Sequence, residues 1–273
     1  MMKFNLVNKN CLTSLACPAS PKEGGIVDVW QETFPVRFGA IDKSDRLTLN
    51  AALQFFQEAA ISHAENLGVG REEMAHSKQG WVLSRLTVIA DRRPKYQETI
   101  TVRSWPRGGE KLFAMRNFDI RDKDDVPVVK AKSAWIIVDI EKRRPLRPQS
   151  IMDSLPQNEG LESLPAEANA VISLPERDNL QIVATKKALY TDIDYNGHVN
   201  NVSYIKWIED TLDPQLPENA DKMRMDINYL NEVLSGETVK IFSAQIEDDA
   251  FAFAFEGRKE TGQAAFRAEL RLS

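Results

Sequence analysis

The feature that most constrains this chain is a pattern of elements that occurs twice. In the first half, Leu49, Leu53, Phe56, Ala60 and His63 recur every three or four residues, which puts them on one face of a helix over Thr48 to Leu67. Thr48 or Asn50 can cap its start and Gly68 can end it. A strand, Trp30 to Phe38, precedes this helix. Four more follow: Trp81 to Ala90, Glu98 to Trp105, Leu112 to Arg121 and Val126 to Asp139. The second half repeats the order. A strand over Gln181 to Asp192 leads into a helix over Val199 to Leu212, with Val202, Ile205, Ile208 and Leu212 on one face. Strands over Met223 to Tyr229, Glu237 to Gln245, Ala250 to Gly257 and Ala264 to Leu272 come next.

The repeat has a register. A shift of 152 places Asp42 on Asp194, Ser44 on Asn196, Arg46 on His198 and Leu47 on Val199. A shift of 139 places Val88 on Ile227, Arg93 on Glu232 and Glu98 on Glu237. The difference, 152 − 139 = 13 residues, predicts a longer helix-to-strand connection in the first half. A long helix followed by antiparallel strands is an α+β layer with the helix packed on one sheet face, and here it occurs twice. The expected organisation is a loose tail over residues 1–28, a first domain over 29–148, a linker over 149–179 and a second domain over 180–273.

Composition narrows the function. The net charge is -5, which disfavours bulk nucleic-acid binding. Apolar runs are too short to span a bilayer, and Asn5, Asn8, Lys9 and Asn10 interrupt any secretory h-region, so a cytoplasmic location is expected. The two cysteines, Cys11 and Cys17, lie outside the repeat, leaving no thiol nucleophile within it. Of the three histidines, His63 lies on the apolar helix face, His76 in a charged loop, and His198 in the segment that carries the chemistry.

That segment is Thr191-Asp-Ile-Asp-Tyr-Asn-Gly-His-Val-Asn-Asn-Val-Ser-Tyr. It packs carboxylates, amides and a histidine into a strand-to-helix junction. A helix start offers unpaired N–H groups that can hold an oxyanion, and a histidine with a carboxylate can move protons near neutral pH. As bare turn residues these are unremarkable, because Asp, Asn and Gly favour such junctions for local reasons. The equivalent first-half turn, Asp42-Lys-Ser-Asp-Arg-Leu, lacks the histidine. Asp192, Asp194, Asn196 and Gly197 also match the opening of a calcium-binding loop. Ser203 replaces the glutamate required at its twelfth position, and a strand stands where a helix should precede it.

The stretch Asp194-Tyr-Asn-Gly-His-Val-Asn-Asn-Val-Ser-Tyr-Ile-Lys-Trp-Ile closely resembles the signature of the plant-type acyl-acyl carrier protein thioesterases and their bacterial relatives. The resemblance runs from about Trp30 to the C-terminus. It implies two tandem hotdog domains and hydrolysis of fatty acyl thioesters on acyl carrier protein. It also implies a site made of Asp194, Asn196, His198 and Glu232, with no cofactor and no metal. In those roles Glu232 takes a proton from the attacking water and Asn196 orients the water or the glutamate. His198 and the helix start stabilise the oxyanion, and Asp194 holds the histidine. Val233 stands where the family often has a cysteine, which excludes a thiol mechanism. The first half, with Ser44, Arg46 and Arg93 at the matching positions, is expected to be catalytically silent and to receive the acyl tail. An acyl-CoA thioesterase, an acyl-thioester hydratase and a non-catalytic acyl-binding module stay open as alternatives, as does a homodimer. Two basic clusters, Arg92-Arg93 with Lys95 and Lys142-Arg143-Arg144 with Arg147, are the candidate surfaces for an acidic carrier.

Overall fold

The computed structural model describes residues 28–165, 170–172, 174, 180–246 and 249–273. The expected N-terminal tail and both cysteines lie outside the described residues, Asp28 aside.

The first half runs β1 (Trp30–Pro35), α1 (Leu49–Asn66), α2 (Arg71–His76), β2 (Gln79–Ala90), β3 (Thr99–Glu110), β4 (Phe113–Arg121), β5 (Pro127–Asp139), β6 (Arg144–Leu146) and α3 (Gln149–Met152). The second runs β7 (Gln181–Lys187), α4 (Asn201–Glu209), α5 (Gln215–Asn219), β8 (Met223–Tyr229), β9 (Thr238–Gln245), β10 (Ala252–Lys259) and β11 (Ala264–Leu272). Each half is an antiparallel sheet wrapped around one long helix, the expected hotdog arrangement, twice. Thr48 caps α1 by accepting the Ala51 N–H, and the predicted apolar face of α1, His63 included, is buried.

The sheet is continuous through both halves, in the order β1-β3-β4-β5-β2-β8-β11-β10-β9-β7, with β6 added to β5. The halves join edge to edge by antiparallel pairing of β2 with β8. Thr87 pairs with Asp226 there, and 226 − 87 = 139, the same offset that relates the two repeats. The pseudo-twofold axis therefore passes through this pair, where the Thr87 hydroxyl donates to Asp226 Oδ1 at 2.6 Å.

The backbone reproduces the register in hydrogen bonds. Asp42 N donates to Arg46 O (2.9 Å) as Asp194 N does to His198 O (2.8 Å), and Leu47 N donates to Pro94 O as Val199 N does to Val233 O, both at 2.8 Å. These bonds explain why the second helix begins at Asn201. Val199 was expected to open it but is held in a bridge with Ile193. Strand β7 likewise stops at Lys187, ahead of a single 3₁₀ turn over Tyr190–Asp192. The 13-residue surplus of the first half does not lie in the helix-to-strand connection, as expected: residues 67–78 and 210–222 are nearly equal in length and each holds a short helix, α2 and α5. It lies in the longer helix and strand, since α1 has 18 residues against 9 in α4 and β2 has 12 against 7 in β8. The sequence did not predict α2 as a helix. Nor were α3, α5 and the short β6 predicted. Strand β3 runs to Glu110, past its expected end, because a register shift between Pro106 and Gly109 accommodates the proline. In the linker, Met152, Leu155 and Leu164 are buried, and Leu161 O accepts the Trp105 indole N–H at 2.8 Å. This part of the segment lies against the first-half sheet.

The first-half turn equivalent to the His198 segment is built into the seam. Arg93 is buried. It pairs with Asp42 at 2.6 Å and donates to Pro217 O at 2.5 Å and to Ala220 O at 3.3 Å, both in the second half. Arg46 adds bonds to Ala220 O and Asp221. From the other side, Glu209 accepts the Leu49 N–H and the Asn50 amide at the start of α1. Burial works most strongly against ionisation of Asp42, but the bonds from Ser44 and Arg93 outweigh it and hold its carboxyl below the ordinary range. A depressed carboxyl stabilises the fold above its unfolded pKa of about 3.9, and that contribution is lost as pH falls through the folded value. Urea unfolding should therefore show Asp42→Asn less stable than the parent by roughly 2 kcal/mol at pH 7, with the gap narrowing below about pH 4. A gap independent of pH would contradict the assignment.

Candidate active site

The loop from Leu189 to Asn200 is fixed by its own polar side chains. Asp192 accepts the Leu189 N–H at 2.9 Å and the Trp207 indole N–H at 3.3 Å, so both of its oxygens are engaged within the protein. Asp194 Oδ1 accepts the Asn196 N–H at 2.8 Å and the His198 N–H at 3.4 Å. Gly197 turns the chain at φ +80°, where the equivalent first-half residue, Asp45, has φ +62°. His198 then forms a bridge with Leu234, in the turn that follows β8. That bridge brings together two residues far apart in sequence: His198 Nε2 lies 3.3 Å from Glu232 Oε2.

The four predicted residues are thus on two adjoining turns, and their contacts differ. His198 and Glu232 meet directly, with side chains 40% and 54% exposed, open enough for a substrate to reach. Asp194 supports the histidine through its backbone amide and not its ring. Asn196 is exposed, and its side chain bonds to none of the other three among the described residues. The helix start is less open than expected, because the Asn200 side chain accepts the Val202 N–H and Asn200 O accepts the Ser203 N–H. No group of three or more His, Cys, Asp or Glu side chains able to hold a metal occurs among the described residues.

Three supporting residues were not found from sequence. Lys259 Nζ donates to Glu232 O at 3.0 Å and pairs with Glu237 at 2.8 Å, fastening the turn that carries Glu232. The Lys259 bond, joined by the Leu234 N–H, holds the Glu237 carboxyl below its ordinary value. Tyr204 lies buried beneath the site, its hydroxyl bonded to the Val233 backbone and its ionisation opposed by burial. Arg71, at the start of α2, stacks its guanidinium 3.7 Å from the Tyr195 ring centre. The helix-to-strand connection of the first half therefore reaches the loop of the second.

Beside this site an apolar cavity opens between α1 and the sheet. Leu53, Phe56 and Ala60 line it from α1, Leu83 and Leu86 from β2, and Phe118 from β4. Asn201 and Val202, three and four residues after His198, close its other side.

Two family descriptions match the chain in tandem: the acyl-ACP thioesterase N-terminal domain over residues 27–155 and the C-terminal domain over 176–272. The chain belongs to the acyl-ACP thioesterase family. A family member of solved structure, an acyl-ACP thioesterase from Bacteroides thetaiotaomicron, is 27% identical with a TM-score of 0.79, covering 90% of this chain and 98% of that one. The 12:0-ACP thioesterase from Umbellularia californica shares the fold, with a TM-score of 0.77 at 21% identity over 92% of this chain and 99% of that one. Among curated acyl-ACP thioesterases, the chloroplastic palmitoyl-acyl carrier protein thioesterase of Cuphea hookeriana is 26% identical over 215 residues, 75% of this chain and 52% of that protein. The chain thus spans about half the length of the curated relatives it matches.

The turn at Gly197 gives a direct test of how the site is held. No atom lies within 4 Å of where its Cβ would be, so the cost of substitution is conformational. Gly197→Asn, a residue that tolerates the left-handed region, should be nearly neutral in thermal unfolding, whereas Gly197→Val should lose about 1–2 kcal/mol. Equal losses would show that the turn is not what sets the tolerance.

Proposed function

We propose that this protein hydrolyses the thioester of fatty acyl-acyl carrier protein, releasing a free fatty acid and ending chain elongation. The observation that carries this reading is the His198–Glu232 contact at 3.3 Å, set beside an apolar cavity in a chain of this family.

In this reading the acyl tail enters the cavity of the first half and the thioester carbonyl lies over His198 and Glu232. Glu232 accepts a proton from water as the water oxygen bonds to the carbonyl carbon. His198 donates to the developing oxyanion, and Asn196, exposed on the same loop, orients the water. Collapse of the intermediate breaks the carbon–sulfur bond, and the leaving thiolate takes up the proton held by Glu232. Val233 occupies the position after Glu232, so the route uses no thiol. Residues 29–148 then act as the silent acyl-binding domain and 180–273 as the catalytic domain. The first-half equivalents support the division of labour: Arg93 stands at the position of Glu232 and is committed to Asp42 and the seam, so a guanidinium replaces the carboxylate that would activate water. No helix among the described residues is long and apolar enough to cross a membrane. We place the reaction in the cytoplasm, where acyl carrier protein would meet the enzyme.

Glu232→Ala and His198→Ala should each lower the hydrolysis rate by about 10²-fold or more in a thiol-release assay, with unchanged circular dichroism. Near-normal turnover in either folded variant would remove that residue from the mechanism.

The carrier itself is acidic, and the two basic clusters fare differently as docking surfaces. Arg92 is taken up by Glu98 and Asp122, and Arg93 is buried, which withdraws the first cluster. Lys142, Arg143, Arg144 and Arg147 are all exposed, and the three arginines have no carboxylate partner among the described residues. Their turn adjoins the connection that begins at Arg71, since Ile140 N donates to Lys78 O at 3.0 Å. A carrier held there lies at the same end of the sheet as Tyr195. Arg143→Glu/Arg144→Glu should raise KM for acyl carrier protein substrates several-fold at low salt and less at high salt. Hydrolysis of a small acyl thioester should be unaffected. Equal losses on both substrates would assign these arginines to the fold instead.

A further inference from the structure

The cavity under α1 crosses the sheet from β8, next to the active site, over β2 and β5 to β4. That is three strand spacings, roughly 14 Å. Its lining is mainly apolar, with Gln57 and Asn201 as the polar members on the helix side and Ser133, on β5, on the sheet side. Arg116 is the register partner of Ser133 across β4 and β5, and it lies two residues before Phe118 on the face that meets α1. His63 lies three residues beyond Ala60 on α1, one helical turn further along the same face. These residues form one polar cluster. Arg116 Nη1 donates to Ser104 Oγ at 2.9 Å and lies 3.2 Å from His63 Nδ1, while Ser133 Oγ donates to Arg116 O at 3.2 Å. The Trp135 indole completes it by donating to Ser133 Oγ at 2.7 Å.

Arg116 is half-buried, and no carboxylate pairs with it among the described residues. Burial lowers its pKa to about 10, which still leaves a cation at neutral pH. A guanidinium in this position keeps whatever hydration the cavity allows. A methyl-ended chain long enough to reach it would strip that hydration and return no hydrogen bond.

We propose that Arg116, held by Ser104 and His63, is the polar end-stop of the acyl channel and sets the longest chain that the protein accepts. The inference rests on the reading that the acyl tail occupies this cavity. Arg116 is a specificity-determining residue here and takes no part in the chemistry at His198 and Glu232.

The test uses acyl carrier protein loaded with saturated chains graded by two carbons. The wild type should show a cut-off in kcat/KM. Arg116→Met should move it to longer chains, raising kcat/KM for the first excluded length by about tenfold, the burial of two further methylenes. Arg116→Lys, which keeps the charge, should leave the cut-off in place. An unchanged profile in folded, active Arg116→Met overturns the proposal, as does a wild type without a cut-off. If Arg116→Met does not fold, the wild type alone decides. For the first excluded length, an ω-hydroxy chain, whose oxygen can accept from the guanidinium, should be cleaved at least fivefold better than its methyl-ended counterpart. Equal or slower cleavage overturns the end-stop. A wild type inactive on every loaded carrier would instead defeat the parent reading of the active site, and the end-stop with it.

Discussion

The antiparallel pairing of β2 with β8 is the contact on which the rest of the molecule depends. It makes two small sheets into one and places the start of α4 against the cavity beneath α1. It also sets the pseudo-twofold axis, and the residues on that axis are unlike. In a symmetric pair of separate chains, a residue on the axis faces its own copy. An aspartate would then meet an aspartate at close range, which is repulsive. Here Thr87 meets Asp226 and donates to it at 2.6 Å. Fusing the repeats in one chain frees the two faces of the seam to become complementary.

The same freedom explains the two turns on either side of the seam. Their backbones coincide in hydrogen-bond pattern, yet their side chains have opposite tasks. At one, Glu232 and His198 stay exposed and in contact with each other. At the other, the matched residue Arg93 reaches across to carbonyl groups of residues 217 and 220. A charge reversal at one position separates an exposed carboxylate–histidine contact from a clamp that holds the halves together. A surface left exposed for chemistry contributes little to cohesion, because pairs open to solvent are weak. The buried clamp in the other half supplies what the exposed site cannot.

Much of this was readable from the sequence because it is periodic or local. The face of α1, the cap at Thr48, the order of elements along the chain and the 13-residue difference between the repeats all follow from spacing, although the surplus was expected in the connection and lies in α1 and β2. The pairing of His198 with Glu232 came from family resemblance, since nothing local links two residues in separate turns. Arg71, Lys259 and the Arg93 clamp were not legible at all. Each acts on a residue distant in sequence, and a lone arginine or lysine carries no mark of its partner. The start of α4 was misjudged for a related reason. Apolar spacing continues to Leu212 and begins at Val199, but tertiary hydrogen bonds to Val199 and the cap at Asn200 delay the start. The first basic cluster looked like a free surface in the sequence, but Arg92 and Arg93 are committed to Glu98, Asp122 and Asp42, and Arg93 is buried.

The covalent tether between the halves has a consequence for behaviour at low abundance. Two subunits that must meet to assemble a working cavity part company when diluted below their dissociation constant. Here the cavity wall comes from α1 and the His198–Glu232 contact from the turns beside α4, and both belong to one polypeptide. Each half sees the other at an effective concentration fixed by the connecting segment, in the millimolar range for short tethers, whatever the number of copies in the cell. Completing the cavity and the contact beside it therefore requires no encounter between copies.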